Sequence, residues 1–202
     1  MSTSSTELVI ADRVWAPASE RTQRLVRTAT LVIGFALLTA ALAQFEVHLS
    51  FTPVPITGQT LGVLLAGAAL GWRSGAASMG LYWVLGLVGL PFYSGGDGGW
   101  KNGTGTTFGY FVGFVVAAAA VGYMAERQQD RNLVTSVAAM AFGSVVIYAF
   151  GAAWLAHKLN VPVATGDTNA ISLGVTPFLI GDAIKMLLAG ATLPTAWALT
   201  RR

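Results

Sequence analysis

The stretch Ile171 to Thr200, ISLGVTPFLIGDAIKMLLAGATLPTAWALT, is apolar throughout except for two charges, Asp182 and Lys185. A helix crosses a bilayer in about 20 such residues, so this run reads as a membrane span, with Pro177 marking a bend or the true helix start. A charge inside hydrocarbon costs several kcal/mol, and such residues usually face a bundle interior and mark a ligand or ion path. At a spacing of three the two share one helical face, about 4.5 Å apart along the axis. They can neutralise each other and still offer acceptors and donors to a polar molecule. A plain tie between helices, or Lys185 snorkelling to the interface, would be other uses of the same pair.

The rest of the chain agrees with a membrane reading. Of 202 residues, 54% are hydrophobic and 10% are charged, against about 25% charged in a soluble domain. The mean hydropathy is +0.62. The apolar runs exceed strand length and lack the alternation of an outer-membrane barrel. The expected fold is an all-α six-transmembrane-helix bundle, with spans over Thr28 to Phe45, Val54 to Trp72, Ser74 to Tyr93, Thr107 to Ala125, Leu133 to His157 and Ile171 to Thr200. The second and third are joined by a very short turn around Arg73, so they should form a helical hairpin. Residues 1–27 are polar and form a separate terminal segment, leaving 28–202 as the membrane domain. The first apolar run reads as a retained span and not a cleaved signal.

Alternating six spans places Arg13, Arg21, Arg24, Arg27, Arg73, Arg127, Arg131, Arg201 and Arg202 on one side and only Lys101 and Lys158 on the other. By the positive-inside rule both termini are cytoplasmic. A net charge of +3 is thus a matter of topology, and no nucleic-acid partner is expected. Glu46 to Pro53, Ser94 to Thr106 and Lys158 to Ala170 then face outside. Lys185 lies about 24 Å from the cytoplasmic end of its helix, in the outer half of the bilayer. A pocket open to the outside follows.

Within the second outer segment, Gly95, Gly96, Asp97, Gly98 and Gly99 lack the lysine and hydroxyl of a P-loop. They read as a mobile lid or a flexible connector. Ala36 and Ala40 on the first span, and Gly109 and Gly113 on the fourth, form small-residue faces that let helices approach closely in lipid. The alanine pair either docks a partner helix or packs internally. Tyr82, Tyr110 and Tyr148 lie within spans and offer flat apolar bodies with polar tips. Gln59 stands at the outer end of the second span. Neither His48 nor His157 has a partner at ligand spacing, so no metal is expected. There is no cysteine, no hydrolase or metalloprotease motif and no nucleotide motif. No cofactor is expected, and any uphill transport must draw its energy from another chain. A membrane-embedded enzyme using Asp182 and Lys185 as acid and base is the alternative from a different class.

Four segments together resemble a known family: FTPVPITGQTLGVLLAGAALG (Phe51 to Gly71), YWVLGLVGLPFYSGGDGGW (Tyr82 to Trp100), GYFVGF (Gly109 to Phe114) and PFLIGDAIKMLLA (Pro177 to Ala189). In order and spacing they are similar to the biotin-specific substrate-binding subunits (S components) of energy-coupling-factor transporters, the BioY family. Where that family commonly has a proline or a glycine pair before GY, this chain reads Gly105, Thr106, Thr107, Phe108, Gly109. The resemblance implies capture of biotin from outside, residence in the cell membrane, and association with a transmembrane coupling subunit and two ATPase subunits. It also implies that Asp182 and Lys185 contact biotin, with Gln59 as a further donor. An S component for another small vitamin would share the architecture.

Overall fold

The computed structural model describes residues 9–17 and 19–200. Residues 1–8 of the polar terminal segment, together with Arg201 and Arg202, lie outside the described residues. The described residues are mostly helical. In order it forms α1 (Ile10–Val14), α2 (Arg21–Ala43), a two-residue strand pair β1 (Glu46–Val47) and β2 (Ile56–Thr57), α3 (Gln59–Leu87), α4 (Trp100–Gly103), α5 (Phe108–Glu126), α6 (Leu133–Leu159), α7 (Ala170–Gly174) and α8 (Leu179–Thr200). The strands pair antiparallel, Glu46 opposite Thr57 and Val47 opposite Ile56. Four stretches among the described residues are long and apolar enough to cross a membrane: α2, α5, α6 and Ala170–Thr200.

Helix α3 is two helices. Gly71 has φ 80° and ψ 175°, a conformation that residues with a Cβ avoid. A Cβ on Gly75 would sit 2.8 Å from the Cα of Gly67, yet eight residues of straight helix span about 12 Å. The chain therefore folds back at Gly71, and the expected hairpin turns there, two residues before Arg73. The reversal leaves the amide of Trp72 at a fresh helix start without an intrahelical acceptor. Glu126, at the end of α5, supplies it, with Oε1 accepting from Trp72 N at 3.0 Å. Gly122 makes the approach possible: a Cβ there would fall 2.4 Å from the carbonyl carbon of Gly71.

Other boundaries shift for physical reasons. Arg21 to Arg27 are already helical, so α2 reaches into the segment read as polar terminus. The last span breaks at Val175 (φ −128°, ψ −60°), with Pro177 in a 3₁₀ turn ahead of α8. Helices α5 and α6 meet through the glycine face, where a Cβ on Gly113 would come 3.0 Å from the Cα of Ile147.

One sequence expectation is corrected. Ala36 and Ala40 are buried within the apolar core, Ala36 completely. A Cβ on Gly62 of α3 would strike the Thr39 hydroxyl at 2.7 Å. The small residues of α2 therefore let it close onto α3, and its outward face carries Ile33, Leu37 and Leu38 instead.

At the end of the bundle that carries Arg27, the start of the described chain is pinned. Arg27 donates to the carbonyls of Trp15 (2.7 Å) and Ala11 (2.8 Å) and to Asp12 Oδ1 (2.8 Å). Val9 and Ile10 are buried there.

Candidate functional site

At the opposite end a cavity of 810 Å³ opens between the β1–β2 loop, the Ser94 to Thr107 segment and the outer turns of α3, α5, α6 and α8. Five of the six side chains expected to bind ligand meet on its wall: Gln59, Tyr110, Tyr148, Asp182 and Lys185. The helical spacing of three brings Asp182 and Lys185 to one face, and their ion pair is 2.6 Å. Neighbouring helices complete the cluster. Asp182 Oδ1 also accepts from Thr60 Oγ1 (3.0 Å), and Oδ2 accepts from the Tyr148 hydroxyl (2.6 Å). Lys185 Nζ donates to the Thr57 carbonyl (2.6 Å) and to Thr60 Oγ1 (3.2 Å) besides Asp182.

An ammonium has three protons, so these contacts occupy Lys185 fully, whereas a carboxylate has about four lone-pair positions and Asp182 retains one. Gln59 is similarly part-used. Its Oε1 accepts from Thr57 Oγ1 (2.7 Å) and its Nε2 donates to the Tyr82 hydroxyl, leaving one N–H and one lone pair for a ligand. Tyr110 donates to the Gly174 carbonyl at 2.6 Å, which ties α5 to the end of α7 while its ring lines the wall. The apolar remainder comes from Phe111, Phe114, Ile147 and Phe178. The arrangement suits a ligand with a flat apolar body and a few hydrogen-bonding groups.

Tyr82 is corrected. It is 0% exposed, packed between Phe92, Tyr93 and Phe111, and stands behind Gln59 without lining the cavity. A tyrosine inside a span has the same sequence signature whether it faces a pocket or the core. Its role is to orient the Gln59 amide.

The glycine-rich segment is more ordered than a linker. Ser94–Gly96 is a 3₁₀ turn and Gly95 has φ 70°. Gly95 and Asp97 reach the cavity wall, while Gly96, Gly98 and Gly99 stand back from it. Two ties join this segment to the first outer loop: Ser94 Oγ donates to Glu46 Oε2 (2.5 Å), and Gln44 Nε2 donates to the Tyr93 carbonyl (3.2 Å). The Ser94 hydrogen bond holds the Glu46 carboxyl below its usual range, against the opposing effect of burial and with help from His48, 3.0 Å away.

Sequence reasoning missed Thr57 and Thr60, since threonines are common in membrane helices and only the fold aims these two at Lys185. It also passed over Lys101 and Lys158 as pocket residues, although both stand at the cavity mouth. Their outer placement was the available signal. Among the described residues no group of three histidines and carboxylates is arranged to hold a metal.

The model of the BioY family matches residues 12–202. The chain is 40% identical over 171 residues to a biotin transporter BioY of Rhizobium etli, covering 81% of this chain and 89% of the relative. It is 36% identical over 160 residues to a probable biotin transporter BioY of Pyrococcus horikoshii, covering 79% and 90%. Among solved structures, the S-component for biotin from an ECF-type ABC transporter superposes with a TM-score of 0.78 at 27% identity, covering 90% of this chain and 95% of that one.

Proposed function

The chain belongs to the BioY family, and from that premise we propose that it captures biotin in the cavity and delivers it inward with an ATP-driven coupling module. It is a multi-pass protein of the cell membrane and a transport subunit, not an enzyme; its relatives are named as transporters. The observation that carries the substrate reading is the part-satisfied polar cluster beside the apolar wall of Phe111, Phe114, Ile147 and Phe178. Biotin has an apolar bicyclic body, a ureido group and a carboxylate. The free lone pair of Asp182 takes a ureido N–H, and the spare Gln59 N–H takes the ureido oxygen. Lys185 pairs with Asp182 and keeps it aimed, and the rings of Tyr110 and Tyr148 flank the bicycle.

Six spans complete this reading: α2, the two halves of α3, α5, α6 and α8, with residues 1–27 as a cytoplasmic segment before a membrane domain over 28–202. Support comes from charge. Arg13, Arg27, Arg73, Arg127 and Arg131 lie at the end remote from the cavity, whereas Lys101 and Lys158 lie at its mouth, as both termini inside would require. The segment Ser94 to Thr106 serves as the lid. The buried Ala36 and Ala40 leave the outer face of α2, and not its alanines, for any partner helix.

Isothermal titration of the purified chain with biotin tests the proposal. One saturable site, with unchanged biotin recovered afterwards, is the expected result. Saturable binding of a different vitamin with none of biotin would replace the ligand, and turnover of bound ligand would overturn the transport reading.

A further inference from the structure

We propose that the end of the bundle opposite the cavity carries a docking site for the phosphate of an anionic membrane lipid, built from Arg73 and Arg127. Each guanidinium lies over an aromatic ring one to four residues away: Arg73 stands 4.9 Å from the Trp72 ring centre and Arg127 stands 4.1 Å from that of Tyr123. Both arginines are exposed, as are Trp72 and Tyr123. Stacking uses the face of the guanidinium and leaves most of its in-plane N–H edge free, the edge that grips a phosphate through two parallel hydrogen bonds. Arg127 spends part of that edge on the Tyr123 hydroxyl.

The two stacks share one end of the bundle, where Gly122 packs directly on Gly71 and Trp72 and brings the end of α5 against the α3 turn. Glu126, the chain neighbour of Arg127, accepts from the Trp72 amide. Among the described residues neither Arg73 nor Arg127 has a carboxylate within ion-pair distance, in contrast to Arg27 with Asp12. Tryptophan and tyrosine at span ends sit at headgroup depth, which is where a lipid phosphate lies. Charge and depth together choose a lipid over a soluble phosphate.

The experiment is native mass spectrometry of the full chain released from vesicles of phosphatidylcholine mixed with phosphatidylglycerol. Wild type should retain phosphatidylglycerol over phosphatidylcholine, and Arg73→Gln and Arg127→Gln should each lower that preference about fivefold, as removing one cation near an anionic surface does. Arg73→Lys keeps the charge but not the stacked fork, and should lose part of the preference. Biotin binding at the far end reports that each variant is folded. An unchanged lipid preference in the Arg73→Gln/Arg127→Gln double variant overturns the site, and equal retention by Arg73→Lys overturns the fork. A preference that appears only when a partner subunit is added overturns the lipid assignment.

Discussion

Two aspartates at opposite ends of the molecule are equally hidden, Asp182 at 3% exposed and Asp130 at 2%, and they do different work. Asp182 meets Thr60, Lys185 and Tyr148 and keeps a lone pair facing a cavity. Asp130 has its Oδ2 taken by the Trp197 indole N–H at 2.5 Å and does not line that cavity. Burial pushes its carboxyl above the ordinary range, with Trp197 and Arg131 pulling the other way. Burial of a charge is therefore not the mark of a ligand site. What distinguishes Asp182 is its place on a cavity wall, paired with Lys185 and with acceptor capacity aimed at open space.

The contrast breaks most sharply on the cavity side. Removing one member of a buried charge pair costs about 2–5 kcal/mol, so Asp182→Asn or Lys185→Met should weaken biotin binding by at least about thirtyfold. Each should also lower the melting temperature, because the surviving charge is left buried alone. The double variant should regain much of that stability and none of the affinity. Titration and thermal unfolding of the three variants check this, and wild-type affinity in both single variants would remove the pair from the site.

A smaller effect is expected at Asp130. A carboxyl whose folded pKa is raised costs stability once ionised, so wild type should gain stability as pH falls from neutral toward 3.8, its ordinary value. Asp130→Asn keeps an acceptor for Trp197 and removes the charge. Its melting temperature should rise by a few degrees at neutral pH, the pH-dependent gain should shrink, and biotin affinity should stay at wild type. Thermal scans across pH measure all three.

Smallest is the effect expected at the tie between Ser94 and Glu46. Glu46 is held below its ordinary 4.5 by the Ser94 hydroxyl, so the tie contributes at and above that pH and is lost as pH falls through the lowered value. Amide exchange over 94–99 should be slow at pH 6, slower with biotin, and faster once Glu46 protonates. Ser94→Ala should shrink that acid step, leaving the part due to His48, while costing about 1 kcal/mol or less.

The sequence made the bundle legible because membrane helices must satisfy their backbones internally and advertise themselves by apolar length. The Asp182 and Lys185 pair was legible for the same reason: nothing else in its span is charged. Asp130 was not, since it sits in the polar run Arg127 to Asn132, where an acid draws no notice. The small pair Ala36 and Ala40 correctly signalled close helix contact but carried no information on which helix, and α3 proved to be the neighbour. Arg27 read as a topology marker, yet its partners are two carbonyls and Asp12, and backbone acceptors leave no trace in a residue pattern.

The Gly71 turn has a consequence for how the chain is made. Its cap, Glu126, lies 54 residues downstream. At about 5–20 residues per second, the hairpin waits several seconds with the Trp72 amide lacking its native acceptor. The two halves of α3 thus begin as a provisional pair, and the arrival of α5 is the event that commits them.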